Sequence, residues 1–176
     1  MAPGLDEHFD STCAVTWLTA VGTYDGRVKD IIHALKYDRR RSISPRLGAL
    51  MAERGAALLR DAECVVPVPL HPLREYRRGF NQAHDLAVHL GKPVAPMLRR
   101  VVHTHSQIDL PRHERQKNVS DAFALDQPGG MSVVVLVDDV STTGATLESC
   151  ARVLKRAGVK EVRALTAARV VNAPRR

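Results

Sequence analysis

The sequence is short of aromatic rings. One Trp, three Tyr and three Phe make up 4% of its 176 residues. Surfaces that stack the bases of single-stranded nucleic acid are built from such rings, so a broad stacking platform is disfavoured. Cysteine is scarce too. Cys13, Cys64 and Cys150 are odd in number and far apart, which excludes both a disulfide framework and a C-x-x-C zinc pair. His71, His84, His89, His103, His105 and His113 follow no zinc-ligand spacing, so they read as satisfied or surface histidines. No apolar run approaches the ~18 residues of a membrane span, and no secretory leader pattern opens the chain. A reducing cytoplasm is the expected compartment. There is no G-x-x-x-x-G-K-[ST] loop: Gly91-Lys92 runs into Pro93 and has no glycine five positions before Gly91. That argues against a nucleotide hydrolase of the phosphate-loop class.

What is present is ordinary in bulk and pointed in detail. Hydrophobic residues at 44% and charged residues at 26% fit a globule with a sizeable single core. The net charge is +7, which invites an anionic partner but leaves nucleic acid, membrane and polyphosphate open.

One stretch organises the rest. Val133-Val134-Val135-Leu136-Val137 reads as a strand buried on both faces. Asp138 and Asp139 end the run, and Val140-Ser141-Thr142-Thr143-Gly144-Ala145 follows. From Thr146 to Arg156 the spacing turns helical, with Leu147, Cys150 and Leu154 on one side. Strand, tight loop and helix in a parallel α/β sheet place a ligand at the strand's carboxyl end. Small residues let backbone amides approach it, and the helix amino end favours an anion. Two carboxylates beside that anion site would repel a bare phosphate. They suit a ligand that also offers hydroxyl donors, or a metal ion, and a sugar phosphate meets these demands.

The stretch resembles the phosphoribosyl pyrophosphate (PRPP) motif of the type I phosphoribosyltransferases, an apolar strand, two acids and Thr-Thr-Gly-x-Thr. The resemblance implies that Asp138 and Asp139 hold the ribose hydroxyls, and that the loop from Val140 through Ser141, Thr142, Thr143, Gly144, Ala145 and Thr146 cradles the 5′-phosphate. It also implies a twisted, mainly parallel sheet flanked by helices, with a flexible hood loop.

A second unit carries opposite charge. Cys64-Val65-Val66-Pro67-Val68-Pro69 is a short strand bounded by prolines. Leu70-His71-Pro72-Leu73 and then Arg74, Arg77 and Arg78 lead to a helix from Asn81, with Ala83, Leu86, Ala87 and Leu90 inward. Two adjacent loops of this kind can pinch one ligand. Across residues 71–118, nine Lys and Arg stand against four Asp and Glu, so charge gathers beside this loop.

Here the resemblance narrows to the ComF family, the competence-protein-F branch. Its carriers are Val-Pro-Val-Pro-Leu with Arg-x-x-Arg-Arg-Gly-Phe-Asn-Gln-Ala, Ala34-Leu35-Lys36-Tyr37, His105-Ser106-Gln107, and the segment Arg115 to Phe123. Many members begin with a cysteine-rich zinc ribbon, of which only Cys13 is represented here. The implied layout is an N-terminal lead-in over 1–22, a phosphoribosyltransferase-like domain over 23–170 and a basic tail over 171–176. The polar segment 103–120 takes the role of hood loop. Leu70, His71, Arg74, Arg77 and Arg78 would bind pyrophosphate, with Arg115 and Lys117 supplied by the hood. The implied cofactor is Mg2+ carried largely by substrate, with Asp138 and Asp139 as its protein oxygens if it has any. The implied reaction is transfer of phosphoribosyl from PRPP to a nitrogenous base, in a homodimer. The competing expectation is a non-catalytic competence or DNA-uptake factor that binds single-stranded DNA or senses PRPP.

Elsewhere the pattern predicts a loose segment over 1–11, a strand near Trp17–Val21, and a helix from Tyr24 with Val28, Ile31, Ile32 and Leu35 inward. A second helix is expected from Ser44 as N-cap, with Pro45 in its first turn and Leu47, Leu50, Met51 and Leu58 along it. Strands are expected at 98–102 and 162–168. The basic run Lys36 to Arg41 allows two readings, a solvated helix end or a phosphate-facing patch.

Overall fold

The computed structural model describes residues 6–37, 40–101, 122–127 and 130–171. A five-stranded sheet runs in the order β1-β2-β7-β6-β3. Its strands are β1 (Asp6–His8), β2 (Trp17–Thr23), β3 (Cys64–Pro67), β6 (Val133–Ser141) and β7 (Glu161–Arg169). All neighbours pair in parallel except β1 with β2. A separate antiparallel ribbon joins β4 (Leu98–Arg100) to β5 (Phe123–Leu125).

The interior position of β6, between β7 and β3, explains its composition. Val134, Val135, Leu136 and Val137 are all fully buried. Successive side chains of a strand point to opposite faces. Val134 and Leu136 pack with Cys150, Leu154 and Phe123 on one face. Val135 and Val137 pack with Ile32, Leu35, Met51 and Leu86 on the other. The first face is covered by α6 (Ala145–Arg156) and the ribbon, the second by α1 (Gly26–Tyr37), α2 (Ser44–Arg54), α3 (Ala56–Leu59) and α5 (Gln82–Ala87).

Several local expectations need correction. Residues 6–8 are not loose: they pair with Trp17–Thr19, and Arg54 and Arg169 form ion pairs with Asp6 and Glu7. Ser44 does not cap α2. A 3-10 turn over Arg41–Ile43 precedes it, so Ser44 is already helical and its buried hydroxyl has no partner. Leu50 is exposed, and the helical path breaks at Gly55, where a Cβ would lie 2.6 Å from Leu165. Pro72–Arg78 is helical (α4) rather than loop: His71 accepts from the Leu73 amide at 3.2 Å, and Pro72 suits the first turn.

Candidate functional site

Asp138 and Asp139 sit in the carboxyl-terminal half of β6, and the strand's alternation sends them apart. Asp139 follows Val135 and Val137 to the α1 face, where Lys36 Nζ lies 2.9 Å from its Oδ1. Asp138 follows Val134 and Leu136 to the α6 face, partly accessible to solvent, and accepts from the Asp139 amide at 2.8 Å. Burial, and then the charge of Asp139, push the Asp138 carboxyl up to about 7. The Asp139 amide, Lys36 and Arg100 pull it the other way. The Cys150 thiol is raised well above its usual range, by burial first and by Asp138 second.

The loop after the acids leads straight into α6. Gly144 takes φ 76°, ψ −7° as N-cap and has no side chain to cap the helix, while Thr143 Oγ1 accepts from the Ala145 amide at 3.4 Å. That left-handed conformation is one a glycine adopts without strain. Thr142, Thr143 and Ala145 are exposed, while Ser141 is buried and its carbonyl accepts from Val170. Amides of a first helical turn lack intrahelical partners, and the helix dipole favours negative charge there. Beside this loop lies a cavity of about 460 Å3 whose other wall is the N-terminal segment, including Phe9, Cys13 and Val15. Glu148, one turn into α6, fastens that wall by accepting from the Ala14 and Val15 amides at 3.0 and 3.3 Å.

The basic loop arrives through strand pairing. Register sets Pro67 opposite Val137, and the Val68 amide donates to Val137 at 2.9 Å, so the β3 loop leaves the sheet beside the acids. Asn81 anchors its far end, donating to the Val68 carbonyl at 3.1 Å and capping α5 through the Ala83 amide at 3.0 Å. Leu70 and His71 are half-buried, and Arg74 and Arg77 are exposed. Arg78 is partly covered: its guanidinium lies 5.2 Å from the Tyr37 ring centroid and donates to Gln82 at 3.1 Å. Half-buried Arg100 on β4 is close enough to Arg74 and Asp138 to feel both. Its pKa is lowered by burial and then by Arg74. A second cavity, about 540 Å3, runs under this loop between Leu70, Phe80 and Arg100. Asp138 and Asp139 line neither cavity; the strand end that carries them stands between the two loops.

The predicted residues therefore divide. Asp138 to Thr146 form one continuous strand end, loop and helix start. Leu70, His71, Arg74, Arg77 and Arg78 occupy the loop and helix after the adjacent strand. Arg115, Lys117 and the hood segment lie outside the described residues. No site role falls to Arg100 or Glu148 from the sequence, and Lys36 enters there only within the basic run and one family segment. For Lys36 a signal existed, because Ala34-Leu35-Lys36-Tyr37 is one of the segments that carry the family resemblance. At that residue the ion pair with Asp139 replaces both expectations for the basic run, the solvated helix end and the phosphate-facing patch.

Comparison with known proteins places the chain in a family. The phosphoribosyl transferase domain matches residues 76–174. DNA utilization protein YhgH of Salmonella typhi is 37% identical over 161 residues, 82% of this chain and 68% of that protein. Competence protein F of Haemophilus influenzae is 32% identical over 158 residues, 82% of this chain and 69% of that protein. Among solved structures, the allosteric regulatory enzyme of purine biosynthesis is similar at TM-score 0.49 and 23% identity, over 72% of this chain and 25% of that one. The chain belongs to the phosphoribosyl transferase domain family, within the branch that contains competence protein F.

Proposed function

We propose that the chain binds PRPP across the carboxyl ends of β6 and β3 and transfers its phosphoribosyl group to a nitrogenous base. One observation carries this reading: two carboxylates stand directly before an exposed Thr-Thr-Gly loop at a helix amino end, and a basic loop leaves the adjoining strand. Asp138 and Asp139 accept hydrogen bonds from ribose hydroxyls. Ser141 to Thr146 offer amides and hydroxyls to the 5′-phosphate. Arg74, Arg77 and Arg78, with Arg115 and Lys117 from the hood, meet the pyrophosphate, where guanidinium groups bind bidentately and lysine acts as a point charge. As the C1–oxygen bond to pyrophosphate breaks, positive charge develops on the sugar. The protein's work is to hold the ring, screen the leaving charge and exclude water.

Magnesium fits as a passenger of the substrate. Among the described residues, no three of His, Cys, Asp and Glu converge on a common point. Asp139 is already committed to Lys36, leaving Asp138 as the carboxylate most able to contribute. Such an ion keeps several waters and takes oxygens from phosphates, so one or two carboxylates suffice. Bound there, it would neutralise charge on the pyrophosphate.

Among the described residues, no helix is long and apolar enough to cross a membrane. We place the working protein in the cytoplasm, as a homodimer in line with the family resemblance. The names of the relatives, competence protein F and DNA utilization protein, favour a second reading in which the same crevice senses PRPP and a basic surface meets single-stranded DNA. A PRPP-dependent pyrophosphate-release assay over a panel of bases separates the two. Turnover with any base supports transfer. Magnesium-dependent PRPP binding without turnover, joined to DNA binding that falls steeply with salt, supports the second reading.

A further inference from the structure

Lys36 occupies the last turn of α1, and its ammonium meets Asp139 with side-chain exposures of only 18% and 10%. Most other ion pairs are looser or wetter. Arg99 and Asp126, for example, stand 3.7 Å apart with about half of each side chain in solvent. Exposed pairs of that kind contribute little, whereas a largely desolvated pair is costly to break because one charge is left without compensation. The placement of Lys36 is equally telling. Asp139 is one of two adjacent acids on the strand end between the two loops that we read as receiving a ligand with several phosphate charges. Unrelieved, those acids would oppose the ligand. Lys36 offsets one of them from inside the fold, paired with its Oδ1 at 2.9 Å. The next residue, Tyr37, lies against Arg78 at the end of α4. The final turn of α1 therefore touches both the acid pair and the helix that follows the basic loop.

We propose that Lys36 is a positioning residue for the pentose: by holding Asp139 Oδ1 and offsetting its charge, it orients that carboxylate for a sugar hydroxyl and admits a polyanion beside two acids. This rests on the PRPP-binding reading, so the test is built to separate the two. PRPP is titrated with magnesium, by calorimetry, into the wild-type chain and into Lys36→Arg, Lys36→Met, Asp139→Asn and the Lys36→Met/Asp139→Asn double variant. Loss of a charged hydrogen-bond partner predicts about a ten-fold or greater loss of affinity for Lys36→Met. Lys36→Arg should recover most of it. Because Lys36 acts through Asp139, Lys36→Met should cost less than about two-fold on the Asp139→Asn background. If Lys36→Met does not fold, Lys36→Gln, which can still donate to Asp139, takes its place in the same cycle. Wild-type affinity in Lys36→Met alongside weakened binding in Asp139→Asn overturns the proposal and leaves the PRPP reading standing. So do strictly additive losses. A wild-type chain that does not take up PRPP overturns both.

Discussion

Asp138 and Asp139 are consecutive, yet they face opposite sides of the sheet: Asp139 is tied to Lys36 of α1, and Asp138 stands on the α6 side in reach of the charge of Arg100. Two carboxylates that the sequence presents as a pair are thus in different environments and should respond differently to change.

Asp139→Asn keeps the shape and removes the charge. A charged hydrogen bond is worth about 1.5–3 kcal/mol, so PRPP affinity in magnesium should fall by tens-fold. Calorimetry reads this directly, and unchanged affinity would remove Asp139 from the site.

For Asp138 the prediction concerns stability and pH. Its folded pKa of about 7 exceeds the ordinary 3.8. Between those values the folded chain keeps a proton that the unfolded chain has released. The stability linked to this group is complete below about pH 4 and is lost as the pH climbs to about 7. Asp138→Asn can still accept the Asp139 amide but carries no charge. Thermal melts should show the variant gaining on the wild type at pH 8 and matching it most closely near pH 4. The same variant should bind PRPP more weakly. A gain of equal size at both pH values would contradict the assignment.

Gly144 tests the phosphate loop. A Cβ there would meet nothing within 4 Å, so space is not the constraint; the φ of +76° is. Gly144→Val should cost at least about 1–2 kcal/mol, and Gly144→Asn less, because Asn enters the left-handed region more readily. Chemical denaturation orders the two. PRPP affinity should follow the same order if the loop holds the 5′-phosphate.

Glu148 tests the wall of the first cavity. Replacing it with Ala leaves the Ala14 and Val15 amides without their carboxylate and should cost about 1–3 kcal/mol. Hydrogen exchange should quicken at residues 14 and 15 before it does in β6. Uniform change across the sheet would mean that the carboxylate does not act locally.

How far the sequence could be read depended on where each determinant lay. β6, its loop and α6 were legible because burial on both faces forces an unbroken apolar run, and a helix shows its own period. The inward positions Ile32, Leu35 and Met51 were legible for the same reason, whereas Ile31, also expected inward, is exposed. The short strand β1 was not, because its pairing and its two arginine partners come from distant parts of the chain. The short helix α4 was missed because it buries no residue and so has no apolar period; it is set by the His71 cap and Pro72. The roles of Lys36 and Arg100 depend on juxtapositions that only the sheet order creates.

The flank of the sheet formed by β3 has a consequence for self-association. Val65, whose backbone faces away from β6, already donates to Pro93 and accepts from Ala95, and Pro67 has no N–H to offer. Another copy approaching that flank finds too few docking points to prolong the ribbon, which guards it against runaway polymerisation. Among the described residues, the other margin of the sheet is β1.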